Sequence, residues 1–169
     1  LDDELGGDNQ PLPPPPGYLP HESKANEELQ KYERLILRMI IRFGEQILFQ
    51  DDDQQDVTVI GYIDSELRND ELTFSTPLHQ QILNEAIAQQ ANNGFKAERY
   101  FLMHENPTIS QFAGNLISER YQLSKYHSKG QKIIGDEERL GELIPHLVIN
   151  YKYAIVGEEL NKMLQQLQD

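Results

Sequence analysis

Between Lys24 and Phe49, apolar side chains return at steps of three and four: Leu29, Tyr32, Leu35, Ile36, Met39, Ile40 and Phe43. That period belongs to an amphipathic α-helix, not to a strand, so the first folded element is predicted to be a long helix with one buried stripe. Gly44 is placed to interrupt or cap it. The same period recurs downstream. "STPLHQQILNEAIAQQANNG" (75–94) carries Leu78, Ile82, Leu83, Ala86 and Ile87 on one face. Ser75 or Thr76 is available as a cap, Pro77 suits the first helical turn, and "NNG" is a stop signal. A short helix is predicted near Ala97 to His104. "NPTISQFAGNLISERY" (106–121) starts another, with Ile109, Phe112, Ala113, Leu116 and Ile117 inward.

Two stretches read otherwise. "QDDDQQD" (50–56) has the composition of a solvated loop, and 121–135 is predicted to be a loop as well. "VTVIGYI" (57–63) is β-branched enough for a strand. Ile60, Ile63 and Leu67 nevertheless keep helical spacing, so a short helix is expected, no partner strand being evident.

Asp136 reads as the cap of a long last helix, with Glu137 and Glu138 well placed against its N-terminal dipole. Leu140, Ile144, Leu147, Tyr151 and Ile155 form one seam, widened by Leu143, Val148 and Ala154. Beyond Gly157 the seam becomes Val156, Leu160, Met163 or Leu164, and Leu167, displaced by one residue, about 100° around the helix. Pro145, in the interior, is expected to kink or divide it. A helix whose apolar face shifts is suited to leaving its own core and meeting another body.

Composition narrows the function classes. All 169 residues fit one domain or a small domain with an appendage, and the Glu-, Gln-, Leu- and Lys-rich helical part makes the expected fold class all-α. No run approaches the roughly 18 apolar residues of a membrane span. The absence of cysteine excludes disulfide and thiolate chemistry and suits a cytoplasmic location. Phosphate binding depends on Lys and Arg, so a net charge of −13 makes direct nucleic-acid binding a poor expectation. A protein partner is the better one.

Six of the nine prolines fall in the first twenty positions, behind Asp2, Asp3, Glu4 and Asp8. "QPLPPPPGYLP" (10–20) favours polyproline II, which at about 3.1 Å per residue spans about 30 Å. Residues 1–23 thus read as an acidic, Pro-rich disordered linker, with the Pro13–Pro16 PxxP as a minor alternative. A linker at the start, without an initiator Met, implies the C-terminal piece of a longer chain.

Catalytic constellations are scarce. His21, His79, His104, His127 and His146 are scattered singly, without HExxH or any pair at ligand spacing on a helix. There is no Walker loop, GxGxxG or GxSxG. "DDDQQDVTVIGY" lacks the sixth-position glycine of a calcium loop and has Tyr62 where the bidentate Glu belongs. No catalytic residue, metal or cofactor is assigned. One basic run, "RYQLSKYHSKGQK" (120–132), interleaves Arg120, Lys125, Lys129 and Lys132 with tyrosines, a pattern able to hold a single strand but more often a solvated loop.

The chain resembles the C-terminal helicase-binding domain of bacterial replicative DNA primases (DnaG type). The residues that carry the resemblance are "YERLILRMIIRFG" (32–44), "YIDSELRNDELTFSTPLHQQILNE" (62–85), "RYQLSKYH" (120–127) and "LVINYKYAIVGEELNKMLQQL" (147–167), in order over about 28–168. The resemblance implies a non-catalytic arm that recruits the primer-synthesising polymerase to the replication fork. It implies an N-terminal helical bundle (24–105), then a C-terminal helical hairpin (106–169) docking on the N-terminal collar of the hexameric replicative helicase (DnaB type). The expected contacts are Tyr151, Ile155, Val156, Leu160, Met163, Leu164 and Leu167, with Lys152 and Lys162 as rim charges. The alternative is a helical adaptor or homodimerisation module unrelated to replication.

Overall fold

The computed structural model describes residues 22–119 and 139–168. The proline strap, the Asp136 cap and the loop predicted at 121–135 lie outside them. Among the described residues the protein is mostly helical, as the periodicity predicts: α1 (Glu22–Phe43), α2 (Val59–Asn69), α3 (Pro77–Gln89), α4 (Ala97–Leu102), α5 (Pro107–Ser118) and α6 (Leu140–Leu167).

The long first helix is the axis of the molecule. Residues 35–41 of α1 are all buried, including Leu37 and Ile41, which lie off the predicted stripe. A helix apolar all round belongs in the middle of a core, and α2 through α6 each pack against it. Two cations on this helix are spent on α5: Arg34 pairs with the Glu119 carboxylate at 2.6 Å, and the Arg38 guanidinium donates to the Glu119 carbonyl. Both face the C-terminal end of α5, where the helix dipole favours positive charge.

Gly44 follows the last residue of α1 at a place where nothing larger fits: a Cβ there would stand 2.7 Å from Ile60 Cδ1 and closer still to the Ile40 carbonyl. The chain then makes a β-hairpin absent from the sequence-based expectation. Strand β1 (Ile47–Gln50) pairs antiparallel with β2 (Asp56–Thr58), in the register Ile47 to Thr58 and Gln50 to Asp56 with an irregularity between Ile47 and Phe49. The acidic stretch is its exposed turn. Asp51 Oδ1 accepts from the amides of Asp53 and Gln55, a local substitute for backbone pairing, while Gln54 adopts a left-handed φ of 60°. The short helix predicted from Val57 therefore begins at Val59. Thr58 caps it by accepting from Gly61 N at 3.0 Å, and the carbonyls of Gln46 and Gly44 accept from Val59 and Ile60.

α3 and α5 open on Pro77 and Pro107 as predicted. Asn106 caps α5 through Thr108 N. At α3, neither Ser75 nor Thr76 caps with its side chain. The buried carboxylate of Glu33, reaching across from α1, accepts from both backbone amides instead. α6 runs as one helix through Pro145, undivided.

All these helices share one hydrophobic cluster. Ile109, Ala113 and Leu116 of α5 and Leu140, Ile144, Leu147, Val148 and Tyr151 of α6 are buried in the same core as α1 to α4. The bundle and hairpin implied by the resemblance thus have no separate cores on either side of residue 105.

Candidate docking site on the last helix

The first half of α6 is a core helix. Leu140, Ile144, Leu147, Val148 and Tyr151 are buried, and Ile155 and Ala154 lie half-buried against the cluster. Tyr151 is fixed at both ends of its side chain. Its ring meets Phe74 edge-on at 5.8 Å, and its hydroxyl donates to Glu33 Oε2 at 2.9 Å. Burial, followed by the Glu33 charge, pushes the phenol well above its usual range. At 1% exposure Tyr151 offers no surface, so the expectation that it contacts a partner is corrected: it anchors the helix instead.

Glu33 is the hub of that anchorage. It accepts from Ser75 N and Oγ at 2.8 Å each and from Tyr151, and it lies 2.8 Å from His79 Nδ1, which must carry the proton because an ionised carboxylate only accepts. Burial alone would raise its pKa, but the donors from His79, Ser75 and Tyr151 outweigh that and hold it below the ordinary carboxylate value. One anion thereby ties α1, the start of α3 and α6 together.

Lys152 does not stand free as a rim charge. It bridges Glu66 on α2 at 2.8 Å and Asp70, just past the end of that helix, at 2.6 Å. Burial of the amine would lower its pKa, yet the two carboxylates prevail and raise it. Lys162 pairs with Glu158 one turn back at 3.3 Å. Ile155, being half-buried, belongs mainly to the body.

The remaining predicted contacts emerge together. Val156, Leu160, Met163, Leu164 and Leu167 are exposed on the second half of α6, and two apolar residues missed from the sequence, Ile149 and Tyr153, extend their line backwards over the body. Ile149, Tyr153, Val156, Leu160, Met163 and Leu167 are between 47% and 84% exposed. At about 100° per residue they fall in one narrow stripe roughly opposite Tyr151. The apolar face is therefore not shifted by about 100°, as the sequence suggested. α6 carries two faces about half a turn apart, overlapping in length between Ile149 and Ile155. The missed residues had a signal: counting back from Leu167 in alternating steps of four and three lands on Tyr153 and Ile149. They were hidden because everything before Val156 was assigned to the inward seam.

Arg120, Lys125, Lys129 and Lys132 lie outside the described residues. Among the described residues no group of three or more His, Asp or Glu side chains is placed to hold a metal, and no helix is long and apolar enough to cross a membrane. One other concavity, of about 680 Å³, is lined by Glu85, Phe95, Arg99, Tyr100, Met103 and His104, among others. Part of its polar lining is engaged within the fold, while Glu85 Oε2 is buried without a hydrogen-bond partner among the described residues. Glu85 Oε1 accepts from Tyr100 Oη at 3.2 Å and from His104 Nε2 at 2.8 Å, while His104 Nδ1 accepts from Asn106 N. Both ring nitrogens of His104 are thus hydrogen-bonded within the fold.

Among the described residues, fold and surface together define a small helical domain with a single core and one helix that presents an exposed apolar stripe. The chain belongs to the family described as a domain of unknown function (DUF8430), which matches residues 21–169. No curated protein and no solved structure matches it.

Proposed function

We propose that this chain is a non-catalytic docking module of the cytoplasm that binds a protein partner through the exposed stripe of α6. The observation that carries the reading is the line Ile149, Tyr153, Val156, Leu160, Met163 and Leu167, left in water on a helix whose opposite face is anchored by Tyr151. Large apolar side chains aligned on a rigid support are what a binding hot spot is made from. The resemblance to helicase-binding domains of primases supplies the partner: the N-terminal collar of the hexameric replicative helicase, with the chain serving to bring a primer-synthesising polymerase to the fork.

The test is titration of the chain with the replicative helicase of the same organism, read by calorimetry. Saturable binding is expected, and Val156→Glu with Leu160→Glu should abolish it while the thermal melt stays in place. A wild-type chain that ignores the helicase at high micromolar concentration would remove the replication assignment.

A further inference from the structure

The spacing of the stripe contains more than exposure. From Ile149 to Leu167 the steps are four, three, four, three, four, the alternation of a coiled-coil seam. It also reads the same in both directions, about residue 158. Laid antiparallel on a second copy and centred there, Ile149 faces Leu167, Tyr153 faces Met163 and Val156 faces Leu160. Every layer of such a pair is filled by its own complement.

Two further features fit a second copy. Gly157 sits in the middle of a helix, where glycine costs stability, and a Cβ there would meet nothing within 4 Å, so packing within the described part of the chain does not require it. In the antiparallel pair it falls beside the two-fold axis, facing its own counterpart, where a missing side chain lets the helices approach closely. The flanks of the seam also lack a code for a charged partner. Asn150, Gly157 and Leu164 lie on one side and Lys152, Glu159 and Gln166 on the other, and Lys152 is already neutralised by Glu66 and Asp70.

We propose that the stripe is a self-complementary seam on which a second copy of this chain docks antiparallel. Where the docking reading above holds, on which this consequence rests, the homodimer and the partner compete for one surface, and dissociation of the dimer exposes the site. Because each copy carries a net charge of −13 and Glu159 meets Glu159 across the axis, charge opposes the pairing and salt favours it.

Sedimentation equilibrium of the 169-residue chain decides the matter. A monomer–dimer equilibrium is expected, tightening several-fold when NaCl is raised from about 0.05 to about 0.5 M as the screening length shrinks. Leu160→Glu should weaken it at least tenfold without moving the melt of the dilute monomer. The native sequence has no cysteine, so single thiols report orientation. A mixture of Ile149→Cys and Leu167→Cys chains should cross-link with each other faster than either does with itself. A monomer at every concentration and salt, or a dimer indifferent to Leu160→Glu, overturns the seam and leaves the helicase titration unaffected. Rapid Ile149→Cys self-cross-linking overturns the antiparallel register. A chain that dimerises as described but never binds helicase sinks the docking reading alone.

Discussion

Glu33 concentrates more of the fold in one side chain than any other residue. A fully buried carboxylate survives only if its lone pairs are met, and here donors from two segments, the start of α3 and α6, meet them. Glu33→Gln removes the charge that those donors face and turns an N–H toward at least one of them. The expected cost is about 2–4 kcal/mol near neutral pH, read as a lower denaturant midpoint. The pH dependence follows from the direction of its shift. A carboxyl depressed in the folded state contributes stability that is complete above its unfolded value of 4.5 and is lost as pH falls below it. The gap between wild type and Glu33→Gln should therefore be constant above about pH 6 and shrink steadily below about pH 4.5. A gap that widens in acid would contradict the assignment. Gly44 makes a second prediction at this scale. Its added methyl would run into the Ile40 carbonyl and the Ile60 side chain, so Gly44→Ala is expected to cost about 2–4 kcal/mol by chemical denaturation. Of these two, Gly44 was visible in the sequence as a helix stop. Glu33 was not, because a lone acid within an apolar run gives no sign of which distant amides it will serve.

At the scale of elements, legibility followed the range of the interactions. The helices were readable because a 3.6-residue period is local, and Pro77, Pro107 and Asn106 punctuate it. The β-hairpin was not. Its first strand, Ile47–Gln50, lay in the tail of the first helix's apolar pattern, and pairing with Asp56–Thr58 is decided by two segments at once. For α6 the inward face was legible and the outward one only from Val156 on. Its distal half should be energetically separate from its proximal half. Apart from partly covered Glu158, residues 156–168 are exposed, so removing 157–169 is expected to shift the melting temperature by no more than about 2 °C. Tyr151→Phe, which deletes only the hydroxyl on Glu33, should cost about 1–2 kcal/mol while leaving partner affinity unchanged. A Tyr151→Phe variant that melts normally but loses its partner would restore Tyr151 to the binding surface.

For the whole molecule, the decisive fact is that α1 is surrounded. The run "LILRMII" at 35–41 is almost continuously apolar, and its meaning is clear in hindsight: one stripe needs one neighbour, but apolar residues on every side need a ring of them. α5 and the first half of α6 complete that ring. Removing them would strip the cover from Leu35 to Ile41 and leave Glu33 without Tyr151. A chain ending at residue 105 is therefore expected not to fold cooperatively, showing a broad, non-sigmoidal melt and collapsed near-ultraviolet dichroism. Native-state hydrogen exchange on the 169-residue chain provides the complementary measurement. Amides of 144–151 should be protected to the same free energy as those of 35–41, because both open only with the shared core, whereas at concentrations too low for pairing amides beyond 157 should exchange near the rate of local fraying. A sharp independent transition for the 24–105 fragment, or weaker protection in 144–151 than in α1, would divide the molecule into two bodies after all.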